Sequence, residues 1–454
     1  MQTKSCNSNL SEFLTTYKRK DEAIEIDFRK LVDWIPYGER ATHLIHPYPA
    51  KLLVHIPHFF LNNDILSDPG DYIMDPFCGS GTVLLEGILN NRNAIGSDIN
   101  PLAILIAKVK TKPLCIDKIK SEHIKIKQNL KQTKKRIAPG VVAPNVVNIN
   151  YWFHPKVKKQ LLILKESIQF IENSEIKIFF ELCFSNIVKR VSNADPRLSV
   201  PVKLRIEKYH DNHWFRKKAE QILSNIDKIN IYNLFDEIVG TNIKRMESFN
   251  GLYTNNSSAI VVKNDIRKDV SDIDIAGISD NIQLIITSPP YAGAQKYVRA
   301  TSLNLGWLGH CQDTSLRDYE ELTIGREHFK KTDQNLVVTG IDEADKIIEK
   351  IYEINRLRAC IAGIYLTEMK RAFEKIYDIL KIGGYFVLIA GNNYVCRQKF
   401  KTADYLHTIA NSLGFKTELI LIDNIRSRGL MTKRNKTASI ISREWIFVFR
   451  KEKE

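Results

Sequence analysis

The sequence predicts an α/β fold built around a sheet that binds a nucleotide-like ligand. Residues 71–100 have the pattern of a strand, a glycine-rich turn, a helix and a second strand ending in an acid. Residues 281–291 have the pattern of an apolar strand that runs directly into a turn with two prolines. Strands that alternate with helices and end in polar turns are typical of a parallel sheet with its ligand site at the carboxyl ends of the strands.

The first stretch predicts a cofactor-binding turn. Its apolar strand ends at Asp75, and a turn of small residues covers 78–82. Glycines let the backbone approach a ligand closely, and the helix that follows offers free amides at its N-terminus. The second strand ends at Asp98, where a carboxylate can accept hydrogen bonds from both hydroxyls of a ribose.

The spacing of the glycines narrows the ligand class. A dinucleotide-binding turn would carry a third glycine at the position of Leu84. The turn therefore indicates an adenosyl ligand without a pyrophosphate, a description that S-adenosylmethionine fits; an ordinary tight turn is the alternative.

The second stretch predicts a rigid loop that can hold a nucleobase. Its strand leads into Thr287, Ser288, Pro289, Pro290 and Tyr291. The prolines fix the backbone and leave carbonyl groups available as acceptors. A serine hydroxyl and a proline carbonyl can together hold an exocyclic amine, and the tyrosine ring offers a face for a flipped base. A chance Pro-Pro turn is the alternative.

Together these motifs resemble the amino-methylating DNA methyltransferases, which methylate the exocyclic amine of cytosine or adenine. The resemblance rests on DPFCGSGT (75–82), SDINP (97–101) and TSPPY (287–291), and HPYPAK (46–51) looks like the element that closes over the methionine end of the cofactor. It implies S-adenosylmethionine as cofactor, double-stranded DNA as substrate and a Rossmann-like seven-stranded methyltransferase sheet. A cognate restriction endonuclease is a candidate second partner.

The same resemblance assigns roles to two groups of residues. The catalytic group would be Ser288, Pro289, Pro290 and Tyr291. The cofactor-binding group would be Lys51, Asp75, Phe77, Cys78, Gly79, Ser80, Gly81, Thr82, Asp98, Ile99 and Asp265.

Four histidines between residues 41 and 61 raise the question of a metal site. His43, His46, His55 and His58 form two His-x-x-His pairs, but no cysteine or acid before Asp64 could complete a ligand set. We therefore expect these histidines to be structural and predict no metal.

The target amine is predicted to be N4 of cytosine, because Ser288 takes the place where an Asp or Asn could stand and this form resembles the cytosine-N4 enzymes. Adenine N6 is the alternative, followed by an RNA methyltransferase or a non-catalytic DNA-recognition subunit. Methylation at carbon 5 of cytosine needs a nucleophilic cysteine, normally placed after a proline, and the sequence contains no Pro-Cys pair.

Composition agrees with a polyanionic partner. The 454-residue chain has a net charge of +15, which favours phosphate binding, although a lysine-rich composition used for solubility is the alternative. Seven scattered cysteines without a CxxC pair indicate reduced thiols and a cytoplasmic protein. Neither a signal peptide nor a membrane-spanning run is predicted.

The chain divides into three predicted regions. Residues 1–40 form an N-terminal extension, 41–110 with 256–454 the catalytic core, and 111–255 a mainly helical insertion that is the candidate DNA-recognition region. The basic run 105–140 is expected to be an amphipathic helix that faces phosphates, with a solvated helix as the alternative. Residues 347–380 are predicted to form one long helix.

Overall fold

A computed structural model of the protein describes residues 2–35, 40–136, 144–268, 281–293, 296–425 and 442–452. Its helices are α1 (Gln2–Lys20), α2 (Phe28–Leu31), α3 (His55–Leu61), α4 (Thr82–Leu89), α5 (Pro101–Thr111), α6 (Ile116–Arg136), α7 (Ile149–Trp152), α8 (Pro155–Gln169), α9 (Ser174–Val188), α10 (Arg216–Asn225), α11 (Ile231–Leu252), α12 (Tyr297–Leu308), α13 (Leu316–Leu322), α14 (Asp342–Ile354), α15 (Arg356–Ile379) and α16 (Thr402–Ser412). Its strands are β1 (Ile24–Ile26), β2 (Tyr72–Asp75), β3 (Asn93–Asp98), β4 (Ala259–Lys263), β5 (Ile282–Thr287), β6 (Leu380–Ala390), β7 (Asn393–Val395), β8 (Gln398–Phe400), β9 (Phe415–Asn424) and β10 (Arg443–Lys451).

One large sheet organises the fold. Its strand order is β1-β9-β10-β6-β5-β2-β3-β4, and only β10 runs antiparallel to its neighbours. Seven of these strands follow the predicted methyltransferase sheet, and the Rossmann-like α/β fold is confirmed. The sheet nevertheless has eight strands, because Ile24–Ile26 from the predicted N-terminal extension pairs in parallel with Leu421–Asp423 of β9.

The glycine-rich turn follows β2 at the middle of the sheet, where the strand order reverses direction. Gly81 has a left-handed backbone (φ +73°) and precedes α4 directly. A Cβ atom added to Gly81 would lie 3.0 Å from the Cβ of Ala107 on α5. Position 81 therefore requires glycine for two reasons: its backbone conformation and the close packing of α5 on the turn.

The helices α6 to α11 lie in sequence between α5 and β4. The buried side chains of α6, α8, α9 and α11 belong to the same hydrophobic cluster as those of α3, α4 and α5, so these four helices pack against one face of the sheet. Ala219 of α10 belongs to a separate small cluster with Leu204 and Phe215. On α6, Lys120 and Lys127 form ion pairs with Glu247 and Asp236 of α11. These two lysines therefore join helices, whereas the hypothesis for 105–140 had them face phosphates.

The predicted long helix 347–380 is wrong in its bounds. The structure has two helices, α14 and α15, separated at Asn355, whose side chain accepts a hydrogen bond from the Arg358 amide and caps α15. Asparagine at this position stabilises a helix start, and apolar periodicity alone does not reveal it.

Among the described helices, none has both the length and the apolar character needed to cross a lipid bilayer.

Candidate active site

A cavity of about 900 Å³, open mouth included, lies along the carboxyl ends of the central strands. Its wall contains Asp265 after β4, Asp98 at the end of β3, Gly79 in the turn after β2, and Ser288 and Pro290 after β5. Since these strands are neighbours in the order β4-β3-β2-β5, the polar groups form a row across the sheet edge. The cofactor turn and the Pro-Pro loop, about two hundred residues apart in sequence, thus share one cavity.

Two neighbouring strands are joined at this edge by one short hydrogen bond. The Thr287 hydroxyl donates to Asp75 Oδ1 at 2.6 Å, and the Phe77 amide donates to the same oxygen at 3.1 Å. Burial raises the pKa of Asp75 to about 7, against the opposing effect of these hydrogen bonds. Asp75 therefore fixes the position of the Pro-Pro loop relative to the glycine-rich turn.

Asp98 holds the turn from the other side. One of its carboxylate oxygens accepts from the Gly79 amide at 2.9 Å, and the other accepts from the Asn100 amide at 2.8 Å. Burial raises the pKa of Asp98 to about 6. Each carboxylate oxygen can accept a further hydrogen bond, so the group can still bind a ligand diol.

At the β4 end, Asp265 is already engaged by protein. Its carboxylate accepts two hydrogen bonds from the Arg267 guanidinium, at 2.8 and 2.6 Å. Arg267 also pairs with Glu368 of α15 at 2.9 Å and donates to the Leu322 carbonyl at 2.6 Å. Asp265 lines the cavity, and its side chain holds Arg267, which in turn contacts Leu322 in another part of the cavity wall.

The four predicted catalytic residues divide into two pairs. Ser288 and Pro290 line the cavity, whereas Pro289 is buried and does not line it. Tyr291 is half-buried outside that lining, and its hydroxyl points to Glu444 Oε1 at 3.5 Å. Burial, with the nearby Glu444 carboxylate, raises the pKa of Tyr291 well above its ordinary value, so its hydroxyl is neutral.

The predicted cofactor-binding residues lie together, with one exception. Ten of them line the cavity, and Gly81 lies behind the turn against α5. Lys51 donates to the carbonyl oxygens of His43 at 3.0 Å and His46 at 2.8 Å, and burial lowers its pKa to about 8.

Two of the four histidines surround a buried acid on α4. Glu86 accepts from His43 Nε2 at 2.8 Å and His58 Nδ1 at 2.7 Å, and it forms an ion pair with Arg40. Together these contacts hold the pKa of Glu86 well below its ordinary value, although burial acts in the opposite direction. We call Glu86, Arg40, His43 and His58 the Glu86 cluster.

Several cavity residues were not singled out by the sequence patterns. They come from the loop before α3, from the ends of β3 and β4, from α12 and from the end of α13: Tyr48, Leu52, Asn100, Asn264, Ile266, Val298, Leu322, Thr323 and Ile324. Tyr48 stands in the HPYPAK motif, so that motif was an available signal. For 322–324 the chain offers none, because their position depends on the Arg267 contacts.

A second, smaller cleft adjoins the first and shares Tyr297, Val298 and Thr323 with it. Its wall is charged: Lys296 pairs with Glu327 at 2.9 Å, and Arg299 and Arg326 lie nearby. The two clefts thus lie on either side of these three residues.

Comparison with known proteins supports one family. A family model described as DNA methylase (N6_N4_Mtase) matches residues 17–109, which include the HPYPAK element, the glycine-rich turn and Asp98. The type II methyltransferase M.MvaI of Kocuria varians is 23% identical over 376 residues, 78% of this chain and 77% of that protein. These matches support the DNA amino-methyltransferase family for this chain.

Two further matches are more limited in identity or extent. The type II methyltransferase M.MjaII of Methanocaldococcus jannaschii is 34% identical over 128 residues, 26% of this chain and 23% of that protein. A SAM-dependent methyltransferase structure from Methanosarcina mazei aligns with a TM-score of 0.31 and 8% identity, over 86% of this chain and 96% of the other.

Proposed function

We propose that this methyltransferase transfers a methyl group from S-adenosylmethionine to the exocyclic N4 amine of a flipped cytosine in double-stranded DNA. The observation that carries the proposal is that Ser288 and Pro290 line the same cavity as Gly79 and Asp98. A donor and an acceptor bound at these positions would lie side by side, which is the main requirement of a direct transfer.

Successive groups along the cavity wall match the successive parts of the methyl donor, which are the adenine, the ribose and the methionine portion. Asp265, Asn264 and Ile266 at the β4 end would hold the adenine, and Asp98 would accept from the ribose hydroxyls. The turn and Lys51 would hold the methionine portion near β2, one strand away from Ser288. When bound, S-adenosylmethionine supplies the methyl group that the amine nitrogen takes up with loss of one proton to solvent.

The Pro-Pro loop would position and polarise the amine. Ser288 Oγ and the Pro289 carbonyl are the proposed hydrogen-bond acceptors, and accepting from the amine increases the electron density on its nitrogen. Tyr291 is the proposed stacking face, and its link to Glu444 would hold the ring in place. Because no covalent enzyme intermediate is needed, the buried Cys78 has no catalytic part.

Analysis of modified nucleosides tests the reaction and the target. The protein is expressed in a host without DNA modification, and digested DNA and RNA are examined by mass spectrometry. N4-methylcytosine in DNA is the expected product. N6-methyladenine would establish the alternative target, modified RNA with unmodified DNA would overturn the substrate, and S-adenosylmethionine binding without any product would favour a non-catalytic recognition subunit.

We also propose that the helical insertion contacts DNA through a basic and aromatic surface around Trp214. Between residues 203 and 218 the chain has six basic and two acidic side chains, and the Trp214 side chain is 76% exposed. The Trp214 ring stacks on His213, with 5.9 Å between ring centroids. An exposed aromatic ring among cations is suited to phosphate and base contacts.

Replacing this ring tests the surface. Trp214→Ala is expected to weaken DNA binding about tenfold, within the range for loss of one stacking contact, without changing S-adenosylmethionine affinity. Phe170→Ala is the matched control, since Phe170 is also an exposed aromatic of the insertion (56%) but lacks this basic surrounding. Equal DNA affinities for the two variants in a salt series would contradict the assignment.

A further inference from the structure

A fully buried lysine lies behind the glycine-rich turn. Lys110 is on α5, the helix that packs against Gly81, and its side chain has no solvent exposure. Lys108 and Lys112 on either side are exposed. Lys110 therefore lies behind the cavity wall and not in its lining, although it belongs to the basic run whose lysines were expected on the surface.

Within the described part of the chain, no carboxylate lies within 4 Å of the Lys110 ammonium group. Its hydrogen-bond partner is the Ser80 hydroxyl, with 3.4 Å between Nζ and Oγ. Burial, with the nearby positive charge of Lys51 as a further cause, lowers the pKa of Lys110 well below its ordinary value. Burial therefore disfavours the charged form of this amine, and a negative charge bound nearby would favour it.

Ser80 connects Lys110 to the cavity. The lysine donates to Ser80 Oγ, which leaves the hydroxyl proton of Ser80 free to be donated to another group, and Ser80 lines the cavity wall. Lys51 lines the same wall, and its two hydrogen bonds to the His43 and His46 carbonyls use two of its three N–H donors. Donors from two side chains, Ser80 and Lys51, thus face the β2 end of the cavity, and Lys110 contacts Ser80 from behind.

We propose that Lys110 supplies the buried positive charge that selects the carboxylate of the methyl donor, with Ser80 as the intermediate donor and Lys51 as the second cation. This assignment rests on the proposed function, which places the methionine portion of the cofactor at this end of the cavity. Lys110 is a positioning residue in this scheme, since it acts on the ligand through Ser80.

The test compares two ligands that differ in one group. S-adenosylmethionine and decarboxylated S-adenosylmethionine share the adenosine and the sulfonium and differ only in the carboxylate. Calorimetric titration of the full chain is expected to show that Lys110→Met lowers the affinity for S-adenosylmethionine at least about tenfold. Its affinity for the decarboxylated ligand is expected to stay within about twofold. Lys108→Met, an exposed lysine on the same helix, is expected to change neither affinity.

Thermal stability separates this role from a structural one. Since methionine fills similar space without a charge, the free Lys110→Met protein is expected to be as stable as the wild type or more so. Ser80→Ala is also expected to lower the affinity for S-adenosylmethionine. The double variant is expected to lose less binding free energy than the sum of the losses in the two single variants. Equal weakening of both ligands, or of neither, would overturn the assignment. Failure of the wild type to bind S-adenosylmethionine would instead refute the proposed function.

Discussion

Two groups of buried charges lie close together in this protein and differ in how their charges are compensated. In the Glu86 cluster, the carboxylate has three partners, Arg40, His43 and His58, all supplied by the protein. At the cavity, Lys110 behind the wall has the Ser80 hydroxyl as its partner, and Asp98 accepts from the backbone amides of Gly79 and Asn100. The first group is complete in the free protein, whereas the second has capacity left for a ligand.

The pKa values of the acids in the two groups are shifted in opposite directions. The pKa of Glu86 is well below its ordinary value because its partners favour the charged form. The pKa of Asp98 is raised to about 6, and that of Asp75 to about 7, because burial disfavours their charged forms. The direction of the shift thus separates Glu86, whose charge is paired by cationic and imidazole partners, from Asp75 and Asp98, which line the cavity.

Glu86→Gln should have the largest effect on stability. The substitution leaves the Arg40 charge unpaired inside the protein, and the free energy of unfolding is expected to fall by on the order of 3 kcal/mol. Urea denaturation followed by circular dichroism measures this change. Glu247→Gln is the matched control: Glu247 is 45% exposed and pairs with Lys120, and its loss is expected to change stability by less than about 1 kcal/mol. Equal losses in the two variants would remove the distinction between the cluster and a surface ion pair.

Ser288→Ala should lower turnover strongly and leave stability nearly unchanged. Loss of one acceptor for the amine is expected to lower turnover about 100-fold, while stability and S-adenosylmethionine affinity stay within about twofold of wild type. Single-turnover methylation of DNA and calorimetry measure the two quantities. Ser412→Ala, at the exposed end of α16, is expected to retain full turnover. A loss of cofactor affinity as large as the loss of turnover would place Ser288 with the cofactor-binding residues.

Asp98→Asn should change the pH dependence of stability. Because the pKa of Asp98 is about 6 in the folded protein and about 4 in an unfolded chain, its contribution is present below about pH 4 and is lost as the pH rises to about 6. Wild type should therefore lose on the order of 2 kcal/mol relative to the variant across that interval and remain constant above it. Denaturation at a series of pH values measures the difference, and saturating cofactor should move the interval to lower pH. A difference independent of pH would contradict the raised pKa.

The central motifs could be placed from sequence because their chemistry is local. Some residues determine the local backbone conformation wherever they occur. Here they are a glycine with a positive φ after one strand, as at Gly81, and two prolines after a second strand. The additional strand Ile24–Ile26 could not be placed, since three residues are too few for a periodic pattern and the pairing depends on β9, about four hundred residues later. The break at Asn355 was missed because apolar spacing continues across it.

The rest of the site depends on tertiary contacts. Asp265 was assigned to the cofactor from its place after a strand, but its bidentate partner Arg267 and the wall 322–324 become visible only in the fold. Lys110 was read as one of many surface lysines, since charge composition does not distinguish a buried position from an exposed one. Its burial, and so its possible partner, follows from the packing of α5 on Gly81.

The pairing of Ile24–Ile26 with β9 has a consequence for handling the protein. Without the first 26 residues, β9 would lose its partner strand at Leu421–Asp423, and the apolar surface under α1 would become accessible to solvent. Such an edge can recruit the same edge of a second molecule. A shortened chain that keeps every residue of the cavity should therefore form more dimers and higher aggregates in size-exclusion chromatography than the full chain.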